Sequence, residues 1–174
     1  PYRELFNVAQ YIGLEIDSPT ARQRGIADVF YDGAVFPFQS ATFDAVLCNQ
    51  VLEHVFNPDE FLAEINRVLK PGGRLLLTVP FVWDEHEQPW DYARYSSFGL
   101  TALLTKSGFQ IHYHHKLRAD VSVLFQLANA YLFKCVQTWP RPAKLLLTVT
   151  VMSTLTVLGL LGSRLLPRNQ DLFL

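Results

Sequence analysis

Charge is scarce in this sequence. Asp, Glu, Lys and Arg make up 18% of its 174 residues, below the roughly 25% of an ordinary globular chain. Lys plus Arg number 15 against 16 Asp plus Glu, a formal net charge of −1. There is therefore no basic excess to draw in nucleic acid through its phosphates. Cysteine is equally sparse: Cys48 and Cys135 are the only two. They cannot build a disulfide scaffold, and they fit a reducing, cytoplasmic compartment. No repeat or low-complexity tract is visible, and a hydrophobic share of 49% excludes disorder. The first residue is Pro1 rather than Met, and nothing near it reads as a secretory signal. The expectation is a fragment or a processed product, with the length of one domain.

What is present is unevenly placed. Residues 1–118 alternate short apolar runs with polar turns, whereas residues 119–166 are greasier and carry few charges. Tyr11 to Ile16, Ala27 to Tyr31 and Phe43 to Cys48 read as buried strands. Pro58 to Leu69 carries Phe61, Leu62, Ile65 and Leu69 at helical spacing, with Asn57 placed as a cap. Lys70-Pro71-Gly72-Gly73 stops that helix. Arg74 to Val79 is an apolar strand, Ser97 to Ser107 a helix ended by Gly108, and Phe109 to Leu117 alternates like a strand. Apolar strands separated by helices predict an α/β fold with a mostly parallel, doubly wound sheet covered on both faces.

In such a sheet, ligands bind at the carboxyl ends of the strands. Glu15 follows one strand and can accept bonds from the hydroxyls of a ribose, or it is a plain surface acid. Asp32 follows the next and can accept from an exocyclic amine, with Gly33 letting backbone approach a ring; the alternative is an ordinary turn. Asn49 and Gln50 end the third strand with polar amides that can face a cofactor. His54, four residues on, reads as a capping or packing histidine.

Taken in order, these pieces resemble a family. They are Ile12-Gly13-Leu14-Glu15-Ile16-Asp17, Asp32 with Phe36-Pro37-Phe38, Phe43-Asp44-Ala45-Val46, Leu52-Glu53-His54, and Leu69-Lys70-Pro71-Gly72-Gly73-Arg74-Leu75. The pattern looks like the class I S-adenosylmethionine-dependent methyltransferases, in the small-molecule, type 11-like branch, over residues 1–118. The resemblance implies a Rossmann-like fold with S-adenosylmethionine as cofactor. It implies that Glu15 holds the ribose, Ile16 packs on the adenine, and Asp32 and Gly33 meet its amine. Asn49 and Gln50 would line the methionine side. The family's Gly-rich loop is not found. The segment from Pro1 to Phe6 reads as the helix after it, so the expectation is a core lacking its first strand, with poor cofactor binding and no activity as a fragment.

Past Pro80 comes a dense run of aromatic and ionisable residues, Phe81 to Tyr95. Trp83 can shape a substrate pocket there. His86 is the candidate general base, since imidazole titrates near neutral pH. Arg94 matches a carboxylate or phosphate, and Asp91 can orient either one. The alternative is that Asp91 and Arg94, three apart, pair with each other. His112, His114 and His115 lie together but lack the further ligands of a metal site, so no metal is expected.

The tail holds two apolar runs. One spans Asp120 to Lys134; the other is the uncharged stretch Leu145 to Ser163. Helices packed as core or lid, an interfacial contact with the inner face of a membrane, and a spanning helix are all open, since six Ser and Thr residues temper the second run. Residues 167–174 read as the start of a last strand. The expected reaction is methyl transfer to a small-molecule, glycan or lipid-precursor acceptor. The alternatives are an NAD(P)-dependent Rossmann oxidoreductase or epimerase, and a catalytically degenerate platform for a membrane or partner. Oligomeric state is not legible.

Overall fold

The computed structural model describes residues 2–25 and 27–173. Its elements are β1 (Leu14–Ile16), α1 (Pro19–Arg24), β2 (Val29–Tyr31), β3 (Phe43–Asn49), α2 (Pro58–Val68), β4 (Leu69–Thr78), α3 (Ser97–Lys106), α4 (Ser122–Cys135), α5 (Arg141–Leu147) and α6 (Ser153–Leu165). The chain divides into two compact units. The first comprises residues up to 47, 57–76 and 107–109; the second comprises 48–56, 77–106 and 110 onward.

In the first unit, β1 and β2 pair in parallel, with Glu15 opposite Phe30 and Ile16 opposite Tyr31. They are joined through α1, an element the periodicity did not reveal. Its end signals were nevertheless present. Ser18 caps the helix by accepting from Ala21 N at 3.1 Å, Pro19 opens it, and Gly25 at φ 60° closes it.

β3 pairs with β4 in a separate two-stranded sheet. Thr42 N donates to Val68 O and Gln50 N to Thr78 O, so the two strands advance together and run parallel. Between those bonds β4 uses more residues than β3, and the surplus is a bulge around Pro71-Gly72-Gly73. Gly72 has φ 76°. A Cβ on Gly73 would sit 2.9 Å from Lys70 O and 3.3 Å from Asp44 O. The segment expected to stop the helix therefore starts the strand, and its glycines allow the bulge to press against β3.

The core of this unit is one face of α2. Leu62, Ile65 and Val68 are at most 1% exposed, and each such side chain contributes about 1.5–3 kcal/mol of burial. Phe61 meets Phe36 edge-on at 5.6 Å. Asn57 stands at the start of the helix without capping it by its side chain, and its amide donates to Glu60 instead, at 3.3 Å.

Several expected strands and helices are absent. Phe109 to Leu117 forms no strand, since no neighbouring strand offers it bonds among the described residues. Residues 167–173 also form none. Phe173 instead stacks on Phe81 at 4.5 Å, and Leu174 lies outside the described residues. Where a helix was read over 1–6 there is a single 3-10 turn at Arg3–Leu5, with Pro1 outside the described residues.

The second unit contains the helical tail. α4 and α6 pack closely: a Cβ on Gly159 would lie 3.0 Å from Phe125, and one on Gly162 would lie 2.8 Å from Val121. Asn129 Nδ2 donates to Met152 O at 3.2 Å and Thr156 Oγ1 at 3.0 Å. α5, a π-helical turn at Thr148–Met152 and α6 run on as one helix from Arg141 to Leu165. This run is not core. Only 6% of its most apolar stretch is buried, and Leu145, Leu146 and Val149 are each more than 60% exposed.

One ion pair fixes the loop after β2. Glu64 accepts from Phe36 N at 2.8 Å and from Arg67 Nε and Nη2 at 2.7 Å. Arg67 also donates to Phe38 O and Phe36 O. The Arg67 guanidinium holds the Glu64 carboxyl below its ordinary value. Its contribution is therefore whole above the unfolded value of about 4.3 and is lost as pH falls through the lower folded value. Urea melts should show Glu64→Gln less stable than wild type at pH 7. The gap should close below about pH 4.

Candidate active site

The sequence-predicted cofactor residues of the first unit come together. β1 and β2 are adjacent and parallel, so their carboxyl ends share one edge, and Glu15 and Asp32 both sit there. Glu15 Oε1 accepts from Ile16 N at 3.1 Å, and Asp32 Oδ1 from Ala34 N at 3.0 Å. No partner is seen for either second oxygen among the described residues. Ile16 is half exposed, at 50%, and Gly33 turns the chain at φ 92°.

Asn49 and Gln50 end β3. Thr78 Oγ1 donates to Asn49 Oδ1 at 2.6 Å, and Gln50 Nε2 reaches the same hydroxyl at 3.3 Å. Gln50 takes φ 53°, a backbone setting uncommon for a residue with a side chain.

The second unit gathers a denser set. Arg94 spends every donor it has inside the chain. Nη1 and Nη2 bind the two oxygens of Asp91 at 2.6 and 2.7 Å. The remaining N–H groups go to the carbonyls of Ala93 at 2.8 Å, Asp84 at 2.9 Å and Trp83 at 3.4 Å. The expectation that Arg94 seats a substrate anion is therefore corrected: a guanidinium with five committed donors has none left. Asp91, 4% exposed, is held far below the usual carboxylate range, first by Arg94. It also accepts from His86 N at 2.9 Å, so it touches both Arg94 and His86. Trp83 enters the site through its carbonyl, its side chain partly exposed.

Two residues that the sequence did not mark as site candidates complete the cluster. Glu53 is fully buried, and neither carboxyl oxygen has a hydrogen-bond partner among the described residues. Burial pushes its carboxyl up. Its own N–H, out of hydrogen-bonding geometry, pulls the other way, as do His54, His86 and Arg94. Its main chain is tied down, since Glu53 O accepts from Tyr92 N at 2.9 Å and Ala93 N at 3.2 Å. His54, read as a capping or packing residue, has Nδ1 2.7 Å from Trp90 O and its ring edge-on to His86 at 4.8 Å. The signal for Glu53 was its place beside His54 just past a strand end. Its burial was invisible, because the segment that covers it lies some forty residues on.

His86 has Nδ1 3.2 Å from Asp84 O and 3.4 Å from Asp91 Oδ2. Beside this loop, a cleft of about 410 Å³ is lined by Asp84, Leu127, Ala130, Tyr131, Lys134 and Cys135. Lys134 closes one side by bonding Asp84 Oδ2 at 2.6 Å and Glu85 O at 2.9 Å. Cys48, also buried, has its thiol pushed up to about 12 by burial and then by Glu53. His112, His114 and His115 are exposed.

Comparisons with known proteins bear on these two sets of residues. Residues 2–77 match the methyltransferase domain family. An uncharacterised protein of Methanocaldococcus jannaschii is 36% identical over 77 residues, 42% of this chain and 37% of that protein. A ubiquinone biosynthesis O-methyltransferase of Xanthomonas oryzae is 37% identical over 76 residues, 43% of this chain and 29% of that one. A probable S-adenosylmethionine-dependent methyltransferase of Mycolicibacterium smegmatis is 31% identical over 111 residues, 58% of this chain and 43% of that one. The matched stretch thus spans less than half of each relative. Among solved structures, the Haloferax volcanii complex of the Trm112 methyltransferase activator and a methyltransferase aligns with TM-score 0.53 and 24% identity, over 69% of this chain and 60% of that one. The [4+2]-cyclase SpnF aligns with TM-score 0.52 and 21% identity, over 87% and 57%. Both likenesses are of fold.

Asp91→Ala strands the Arg94 charge among carbonyls. Chemical denaturation should show a loss of about 3 kcal/mol, and Arg94→Lys should not match wild type, because an ammonium cannot reproduce the fork. Stability equal to wild type in both variants would mean that the pair does not hold the loop.

Proposed function

We propose that the chain, whose residues 2–77 match the methyltransferase domain family, is part of a class I S-adenosylmethionine-dependent methyltransferase, and that the whole protein moves a methyl group from that cofactor to a small lipid-soluble or lipid-linked acceptor. The observation that supports the cofactor half is the placement of Glu15 in β1 and of Asp32 just after β2, toward the carboxyl ends of two adjacent parallel strands. The residues fit the group. Ribose hydroxyls and an adenine amine are donors, and each carboxylate keeps one oxygen outside its local backbone bond. Ile16 offers an exposed apolar face to the ring.

The cofactor, when bound, supplies a methyl group on a positively charged sulfur. The chain's part is to hold donor and acceptor in line and keep water out, and alignment alone can carry much of such a transfer. His86 was expected to take the acceptor's proton; the reading does not depend on it. The oxidoreductase and epimerase alternatives have no support in a methyltransferase match over 2–77.

The apolar character of the acceptor draws on two observations. Relatives are named for ubiquinone biosynthesis and for demethylmenaquinone methylation. The helix Arg141–Leu165 leaves its apolar side chains exposed. At 25 residues it extends about 37 Å, more than a bilayer's hydrocarbon core of about 30 Å. Its hydroxyls do not stand against this. Thr148, Thr150, Thr154 and Thr156 each donate to the carbonyl four residues back, Ser153 to Thr148 O, and Ser163 to Leu160 O. A hydroxyl already bonded to its own helix loses little on leaving water. We assign this helix to contact with the cytoplasmic face of a membrane.

Two measurements test these readings. In a two-dimensional NMR titration with S-adenosylmethionine, which registers millimolar binding, the amides of Glu15, Ile16, Asp32 and Gly33 should shift. Glu15→Ala and Asp32→Ala should each weaken binding by about tenfold or more. No shift at these four amides would remove the cofactor assignment. In flotation with phosphatidylcholine–phosphatidylglycerol vesicles, the protein should rise with the lipid, and Leu145→Asp with Val149→Asp should leave it at the bottom. A wild-type chain that stays at the bottom would remove the membrane contact.

A further inference from the structure

The Glu53 cluster has a chemical imbalance. Carbonyl oxygens only accept, so His54 Nδ1, 2.7 Å from Trp90 O, carries a hydrogen. His86 Nδ1, 3.2 Å from Asp84 O, does the same. Arg94 Nη2 is 3.5 Å from His86 Nδ1, but its two hydrogens already go to Asp91 and Asp84 O. In each neutral imidazole the other nitrogen, Nε2, then holds a lone pair. His54 Nε2 lies 3.9 Å from Glu53 Oε1, beyond hydrogen-bond reach. One carboxylate oxygen and one nitrogen from each ring lie within 4.8 Å of one another. A buried carboxyl group without a hydrogen-bond partner among the described residues and one nitrogen from each of two imidazoles therefore converge.

We propose that Glu53, His54 and His86 are the ligands of a divalent first-row transition cation. Two imidazoles and one carboxylate suit zinc, cobalt or manganese better than magnesium, which prefers oxygen. Metal–ligand bonds of about 2.0–2.2 Å place ligand atoms about 3–3.5 Å apart, so modest side-chain rotation closes the set. The shell behind the ligands is already built. Trp90 O and Asp84 O, the latter with Asp91, fix the ring orientations, as backbone and carboxylate partners do for metal-bound histidines. His54 and His86 keep 20% and 31% of their side chains exposed. That leaves an entry path and an open coordination position, the mark of a site that also takes a substrate atom. The assignment stands on the cluster's geometry and does not require the methyl-transfer reading. Where that reading holds as well, a cation held by Glu53, His54 and His86 would supply Lewis-acid chemistry toward an acceptor oxygen, and His86 would serve as a ligand rather than as the base.

The test is an equilibrium titration of the chelator-stripped 174-residue chain with Zn2+ and, separately, with Co2+ followed by its visible absorption. The expected result is one saturable site per chain, with Mg2+ binding much more weakly. Glu53→Gln, His54→Ala and His86→Ala should each lower affinity by about tenfold or more. A triple His112→Ala, His114→Ala, His115→Ala variant should bind like wild type. Circular dichroism and thermal melts accompany each variant, and Glu53→Gln removes the buried charge without changing side-chain shape. No saturable wild-type site overturns the proposal, as does binding that disappears in the triple variant. Because the S-adenosylmethionine titration is read at Glu15 and Asp32, failure of the metal site leaves that result standing, and the reverse also holds.

Discussion

The second unit is organised around the Asp91–Arg94 pair. Its two parallel N–H to oxygen bonds use a carboxylate that is almost fully buried. A charge so placed is tolerable only when paired and bonded. The guanidinium then gathers the carbonyls of Trp83, Asp84 and Ala93. Those bonds close the long segment after β4 on itself and set His86 in place through Asp91. The next residues, Tyr92 and Ala93, reach back to the main chain of Glu53. The burial of Glu53 and the meeting of His54 with His86 follow from that closure. Without the pair, the residues from 83 to 94 would be a solvated loop and the cluster would have no second half.

A different constraint shapes the tail. α4 and α6 pack through glycines where a side chain would collide with Phe125 or Val121, and Asn129 bonds across to Met152 O and Thr156. Close contact over small residues with a side-chain amide between helices is a packing style suited to lipid, where hydrophobic burial gives no drive for association. The hydroxyls that lower the run's apparent hydrophobicity are absorbed by its own backbone. Composition therefore understated how apolar the outer surface of this helix is.

The fold does not by itself assign chemistry. A methyltransferase and a [4+2]-cyclase both align with this chain at similar quality, as expected where function resides in sites grafted on a common scaffold. What separates the readings is local. Glu15 and Asp32 place carboxylates at one sheet edge, while Glu53, His54 and His86 gather a carboxyl and two imidazoles in the second unit. The first set follows from strand order, and the second from a loop held by an ion pair.

The sequence by itself determined the strand–helix alternation, the amphipathic face of α2, and the acids at the ends of β1 and β2. These depend on periodicities and spacings within a few residues, which local sterics and hydrophobic patterning dictate. It also carried the choice between two roles for Arg94, since three-residue spacing allows an internal pair as readily as an open anion seat. Only the tertiary structure decided that choice, because counting committed donors requires knowing which carbonyls surround the guanidinium. The same holds for Glu53 and His54. Their chemistry depends on burial and on Trp90, Asp84 and His86, which lie about thirty residues or more away in the chain, and no local pattern records a long-range contact. The strand expected over 109–117 failed for the matching reason: alternation marks a surface that can pair, but a strand exists only where a neighbour supplies the bonds.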